Sequence, residues 1–503
     1  MKGFFRTVAV ITVFSVCEKF LGFLYRIYLS HAIGAEGVGL YQVALSLFGL
    51  IFTVVSSGVP ITVSRLMTKY KAEGRKDKAQ KIISAGLFIA LAFSLPAVIA
   101  VIIFRNNLGV LFADERCAPI FVVLIFGLSF TSLYSVFRGV FWGNKDFLPY
   151  SIIELLEEMC MIIVGIILIS RAGDVFTGAY YAAVAVFISF VFSFSLAAAT
   201  FFIRKNRLTN PRSELKPLLK SSTPITAMRT ANSLIISLVS TILPARLIAT
   251  GYTASQAMSA FGAAVGQAIP ILFIPSTLIG AFTVVLVPEL SENFYRKNYG
   301  RVKSDVEKAV KFTCIISSLF VPAFFCCGNE IGLAVFGSAE SGGFLSASAF
   351  LMSFMGISGI TTSILNSVGK ENNTLVYYIF GAALMLLCVW ILPPFVGIYS
   401  LTVGYVCVYA LTTALNIRLI GKTCKVKPSY LKFAFYSAGF SVSCCIFGIM
   451  LKNVLSHILS AFSAAIIVGI AVSALNITFY FVFGLIKTAG VISLIKKPRR
   501  RAA

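Results

Sequence analysis

The sequence predicts an all-α, polytopic integral membrane protein, and three observations carry that prediction. Of its 503 residues, 58% are hydrophobic and only 12% charged, with a mean hydropathy of +0.91, a composition that belongs in a bilayer rather than in water. Apolar stretches long enough to cross a hydrocarbon core, which takes about 20 residues, recur along the whole chain. Basic residues are shared very unequally between the segments that join them.

Fourteen such stretches are expected, at 7–30, 39–64, 82–104, 119–141, 151–170, 177–203, 222–249, 262–288, 312–336, 344–368, 374–393, 399–420, 433–452 and 459–486. An even number of crossings puts both termini on one side. Assigned alternately, the connecting segments hold 35 Lys and Arg on the side of the termini and four on the other, Arg105, Arg116, Arg171 and Lys452. Short basic segments stay in the cytoplasm, so both termini are expected there. The +24 net charge and pI near 9.7 are then topological and imply no nucleic-acid partner. The tail "KKPRRR" is read the same way, with attraction to anionic lipid head groups as a secondary effect. Ser30-His31-Ala32 has signal-peptidase spacing, but the run before it is broken by charge, so no cleavage is expected.

The order of elements contains a repeat. "VFWGNKDFLPYSI" at 140–152 is similar to "NSVGKENNTLVYYI" at 366–379, a displacement of 226 when Gly143 is set on Gly369. "VPITVSRLMTKYKAEGRKDKAQK" is similar to "VPELSENFYRKNYGRVKSDVEKAVK" at a displacement of 228, with Pro60 on Pro288. One six-helix unit used twice follows, and because six is even the two copies share an orientation. The expected organisation is a lobe at 1–205, a cytoplasmic linker at 206–220, a second lobe at 221–422, a terminal helix pair within 423–486 and a basic cytoplasmic tail at 487–503.

Charges inside the spans are the candidate functional residues, because one near a helix centre costs about 2.5 to 3.5 kcal/mol on insertion scales and so faces protein or water. Lys19, Gly22 and Arg26 follow i, i+3, i+7 and share one stripe, with glycine leaving room between two cations. In the seventh span Thr226, Arg229, Ser233, Ser237 and Ser240 fall within about 80° of one another, on a face expected to look inward. Arg246 sits near the other end of that span. Glu154, Glu157 and Glu158 follow i, i+3, i+4 on one face of the fifth. With Glu18 they are candidates for ion coupling or for pairing with arginines. Snorkelling accounts equally well for Arg26 and Arg246, and structural pairing for the glutamates.

Other chemistry finds no support. Ten of the eleven cysteines fall in spans or cytoplasmic segments, and the adjacent pairs Cys326-Cys327 and Cys444-Cys445 lack Cys-x-x-Cys spacing. No disulfide, structural metal or cofactor is expected. His31 and His457 lie near the outer surface, where solvation explains them. No glycine-rich phosphate loop and no acidic metal pair marks an enzyme.

"KFLGFLYRIYLSHAIGAEGVGLYQ" with "GVPITVS" at 58–64 resembles the start of the stage V sporulation protein B group. That group lies in the multidrug/oligosaccharidyl-lipid/polysaccharide exporter superfamily and is related to lipid II flippases. Arg246-Leu247, Gly251, Phe261-Gly262, Pro270, Pro275 and Leu286-Val287-Pro288 agree with the same group. The resemblance covers essentially the whole chain, with one departure, Lys19, where relatives commonly carry arginine and its bidentate fork. It implies a flippase of the bacterial cytoplasmic membrane that moves a polyprenyl-pyrophosphate-linked oligosaccharide or peptidoglycan precursor by alternating access. Lys19, Arg26, Arg229 and Arg246 would contact the substrate, a proton or sodium ion would couple transport, and the last two helices would offer a groove to the lipid tail. The rival is a cation-coupled multidrug antiporter of the same superfamily, for which Glu18 is the best handle.

Overall fold

The computed structural model describes residues 2–204, 207–426 and 431–483. The expected tail at 487–503 and the last residues of the fourteenth span lie outside them. Among the described residues there is no strand, and the chain divides into two compact units that meet in sequence at Gly266 and Gln267.

The first unit opens with α1 (Lys2–Ser56), which is broken at Gly34, where φ is 66° and ψ −178°. Only glycine takes that combination without strain. The break is needed, because the run Val13–Ala72, which includes α2 (Val59–Ala72), is 60 residues long and would reach roughly 90 Å as one rod. It therefore holds two of the expected spans. α3 (Lys76–Ile103) is followed by α4 (Cys117–Phe126) and α5 (Leu128–Gly143), which form one span bent by 45°. α6 (Phe147–Ile169) carries the three glutamates, and α7 (Val175–Ile203), α8 (Arg212–Ala249) and α9 (Ala254–Phe261) complete the unit.

Two kinds of packing hold it. Val63, Ile82, Ala85, Val136, Val140 and Leu218 form a buried core between α2, α3, α5 and α8. Elsewhere the helices approach backbone to backbone, as glycine permits in membrane proteins. A Cβ on Gly39 would run into the Met258 carbonyl oxygen of α9, and one on Gly58 into the Ser222 carbonyl oxygen of α8. Just before α4, Arg116 Nη2 donates to Glu36 Oε1 and to Asp114 Oδ2, both at 2.7 Å, and so ties the connection to α1 beyond its break.

The second unit contains α10 (Ile269–Tyr295), α11 (Tyr299–Phe336) and the 58° bent pair α12 (Ala339–Ala347) and α13 (Leu351–Ser367). α14 (Glu371–Ile391), the short α15 (Pro393–Val396), α16 (Ser400–Cys424), α17 (Leu431–Leu455) and α18 (Ala461–Val482) follow. The terminal pair is fastened to α11. Cys326, Cys327, Cys444, Ala465, Val468 and Val472 share a core, Ser318 and Tyr480 hydrogen-bond at 2.8 Å, and Lys452 Nζ lies 2.8 Å from Glu330 Oε1. Small residues of α18 meet α11: Cys327 donates to the Ala465 carbonyl and Ser473 to the Leu319 carbonyl.

Ten described helices are long and apolar enough to cross a membrane, or twelve with each bent pair as one span. With two spans in Val13–Ala72 and the 23-residue, glutamate-bearing α6, this is consistent with the expected fourteen. The contact at Gly39 makes a testable claim. Gly39→Ala forces α1 away from α9 and costs about 1 to 3 kcal/mol as overpacking, whereas Gly49→Ala, which meets nothing within 4 Å, is neutral. Thermal melts of the two purified variants in detergent check this; equal melting points would show that the α1–α9 approach carries no stability.

Candidate functional site

The spacing that placed Glu154, Glu157 and Glu158 on one face of α6 turns them toward α1, α5 and α7, and two cavities form there. The first, of about 320 Å³, is lined by Gly22, Arg26, Tyr41, Gln42, Glu157 and Glu158 among others. The second, of about 240 Å³, is lined by Glu18, Tyr134, Arg138 and Glu154, and again by Glu157 and Glu158. The two glutamates thus line both chambers.

Gly22 has a specific use. A Cβ there would lie 2.9 Å from Glu158 Oε1, so the gap between Lys19 and Arg26 on the α1 stripe is filled by the Glu158 carboxylate. Lys19 itself is exposed and lines neither cavity. In the second chamber Arg138 Nη1 stands 3.4 Å from Glu154 Oε1, and the guanidinium lies over the Trp142 ring, 5.3 Å from its centroid. The Tyr134 hydroxyl is buried with no hydrogen-bond partner among the described residues.

The structure therefore gathers Arg26, Glu18, Glu154, Glu157 and Glu158, but not the remaining cations. Arg229 is exposed on α8 and Arg246 half-buried, and neither lines these cavities. Ser237 and Ser240 of the same stripe are buried while Leu234 and Ile236 are exposed, so that end of the stripe packs against protein, whereas Arg229 toward its other end does not. Thr226 lies against Gly58 of α2. Arg138 was missed by sequence reasoning, which counted it with the cytoplasmic bases. Its place inside the 119–141 apolar run was the available signal.

A multi-pass helical bundle with charged chambers between its spans has the build of a membrane transporter. The chain belongs to the polysaccharide biosynthesis protein family, whose sequence model matches residues 4–294. It is 24% identical over 459 residues to stage V sporulation protein B of Bacillus subtilis (strain 168), covering 88% of this chain and 87% of that one. Over 342 residues it is 24% identical to the lipid II flippase MurJ of the same organism, covering 62% of each. Among solved structures it is similar to a lipid II flippase MurJ in an inward closed conformation, with TM-score 0.74, 13% identity and coverage of 95% of this chain and 100% of that one. An inward-facing multidrug resistance MATE family transporter of the MOP superfamily matches with TM-score 0.67 and 16% identity, covering 81% and 95%. The family resemblance carried by the first-span motif is borne out.

Removing Arg138 leaves Glu154, with 19% of its side chain exposed, without its cation, a loss of about 1 to 3 kcal/mol. Arg138→Gln should melt early in detergent, and Arg138→Gln/Glu154→Gln should recover most of the loss, the non-additivity expected of a coupled pair. A double variant as unstable as the sum of the singles would deny the pairing.

Proposed function

We propose that the protein is a flippase of the bacterial cytoplasmic membrane, with both termini in the cytoplasm, that exports a polyprenyl-pyrophosphate-linked oligosaccharide or peptidoglycan precursor. The observation that carries this reading is Arg26, a fixed cation on the wall of a chamber between spans, in a chain whose curated relatives include a lipid II flippase. A guanidinium matches phosphate oxygens in a bidentate, charge-assisted geometry. Lys19, Arg229 and Arg246 are proposed as further substrate contacts, reached as lobes at 1–205 and 221–422 rock about the site. The terminal pair at 423–486 takes the lipid tail, and the linker at 206–220, whose residue 206 lies outside the described residues, joins the lobes. The energy comes from a proton or sodium ion. No cofactor, enzymatic step or nucleic acid enters this reading.

A specific feature favours a second reading, a cation-coupled multidrug antiporter: the chambers carry four carboxylates, Glu18, Glu154, Glu157 and Glu158, against the two guanidinium groups of Arg26 and Arg138. The readings separate on transport. Reconstituted with a labelled polyprenyl-pyrophosphate sugar, Arg26→Gln should lose a contact worth about 1.5 to 3 kcal/mol, roughly ten- to hundredfold in affinity, while Lys19→Arg retains activity. Full lipid transport in Arg26→Gln, with loss of dye efflux in Glu18→Gln, would promote the antiporter.

Sidedness is tested separately. In intact cells a membrane-impermeant thiol reagent should label a cysteine introduced at Gly173 and not one at Asn210, both exposed positions. Cys117 cannot report, because it is fully buried. Labelling at position 210 from outside would reverse the orientation.

A further inference from the structure

The slot between Lys19 and Arg26 on α1 is the place an anion would be expected to use, and it is already filled. Glu158 reaches across from α6 until its Oε1 lies against Gly22, one turn from Arg26, with which it lines the same chamber. An incoming phosphate would meet both the cation it wants and a carboxylate that repels it. Two like charges in a confined, partly desolvated space cannot both remain ionised at little cost, so one must leave or be neutralised.

The surroundings decide which. From α1 come Glu18, Arg26 and the phenols of Tyr25 and Tyr41, from α5 Arg138 and Tyr134, and from α6 Tyr150, Glu154 and Glu157, while α7 contributes no ionisable group on this face. Arg138 is committed to Glu154. Lys19, on the other side of the gap, is exposed and lines neither chamber, so Arg26 is the cation that shares a chamber with Glu158, and a phosphate that engages Arg26 takes that partner away. Carboxylates without a cation in such a site hold protons. Among the described residues no three His, Cys, Asp or Glu are grouped to hold a metal ion.

We propose that Glu158 is a built-in competitor for the anion slot, displaced by taking up a proton, so that a pyrophosphate-bearing lipid and one proton bind together. This rests on the flippase reading and names the residue whose protonation answers the lipid. By linkage, protonation tightens anion binding by the same factor by which the anion tightens protonation. The partition between the two chambers then has a reason: Glu157 and Glu158 line both, so water in the Glu18–Glu154 chamber can deliver the proton while the other chamber receives the phosphate.

The test uses the whole protein in nanodiscs and, as probe, a polyprenyl pyrophosphate bearing one sugar, because a pyrophosphate esterified at both ends has no group that titrates between about pH 6 and 8 whereas a terminal phosphate has. Wild-type affinity should tighten as pH falls from about 8 to about 6, by up to about tenfold per unit if one proton is taken up. Calorimetry in two buffers of different ionisation heat should show about one proton absorbed per lipid. Glu158→Gln, an isostere that mimics the protonated state, should bind at least as tightly as wild type at low pH and lose the slope, whereas Glu157→Gln keeps it. pH-independent binding in wild type, or an unchanged slope in Glu158→Gln, would overturn the proposal and leave the flippase reading standing. If Glu158→Gln does not fold, wild-type calorimetry decides alone, and binding with no proton uptake rejects the proposal. No binding of the pyrophosphate lipid at any pH, in a protein with an unchanged melt, would sink both.

Discussion

A charge placed within a bilayer has to be paired, wet or neutral, and the first unit is organised around meeting that demand. Four glutamates and two arginines line the chambers between α1, α5, α6 and α7. The pairing they find is incomplete: Arg138 meets Glu154 at 3.4 Å, Arg26 shares a chamber with Glu158, and acids outnumber bases. Such an imbalance would be hard to sustain in a dry core, where losing one partner of a buried pair is strongly destabilising. Chambers of about 320 and 240 Å³ have room for water, and their polar lining suits it. Cavity and charge therefore explain each other, and neither is a packing defect.

The second unit meets the same demand in the opposite way, by closing around its charge. Lys452 is paired with Glu330 at 2.8 Å and also donates to the Cys326 carbonyl oxygen, and Cys326 belongs to a core of cysteine, alanine and valine. Ser318, Asn476 and Tyr480 form a satisfied polar cluster nearby. Here polar groups fix where α17 and α18 sit on α11. In the first unit the unbalanced glutamates leave the charged groups free to answer a ligand or a proton.

How far the sequence was legible follows from how local each signal is. A spanning helix is announced by its own twenty residues, so the spans, their bends excepted, could be read directly. The i, i+3, i+4 spacing on α6 and the i, i+3, i+7 spacing on α1 are equally local; the α6 stripe faces the chambers, and on α1 Gly22 and Arg26 do while Lys19 does not. What occupies the gap at Gly22 could not be read, because Glu158 arrives from a helix more than a hundred residues away and leaves no mark on α1. Arg138 was misjudged for a related reason: near the end of an apolar run, a base bound for a loop and one bound for a buried carboxylate look alike. Lys452, taken as a loop charge, shows the same ambiguity. On α8 the polar stripe gave the buried side only at Ser237 and Ser240, because serine serves equally in a cavity wall and at a close helix contact.

The close contacts of the first unit also bear on how its chambers could change access. Gly39 meets Met258 near the break at Gly34, and Gly58 meets Ser222 where α1 gives way to α2, so the stretch from α8 to α9 is held to α1 and α2 at two places far apart along the chain. Backbone-to-backbone contact of this kind is short-ranged: it is lost over a small separation, because dispersion falls steeply with distance and no long side chain bridges the gap. Each contact can therefore part without dragging a deep interdigitated core with it. The stretch that follows Phe261 is a π-helical turn, Gly262–Ala268, and such turns are single-residue insertions that recur where helices must adjust. A transporter needs closures that are tight when made and inexpensive to break. Glycine contacts beside a glycine break and a π-turn meet that need, while the Glu36–Arg116–Asp114 cluster keeps the α1 segment beyond the break in place as they open.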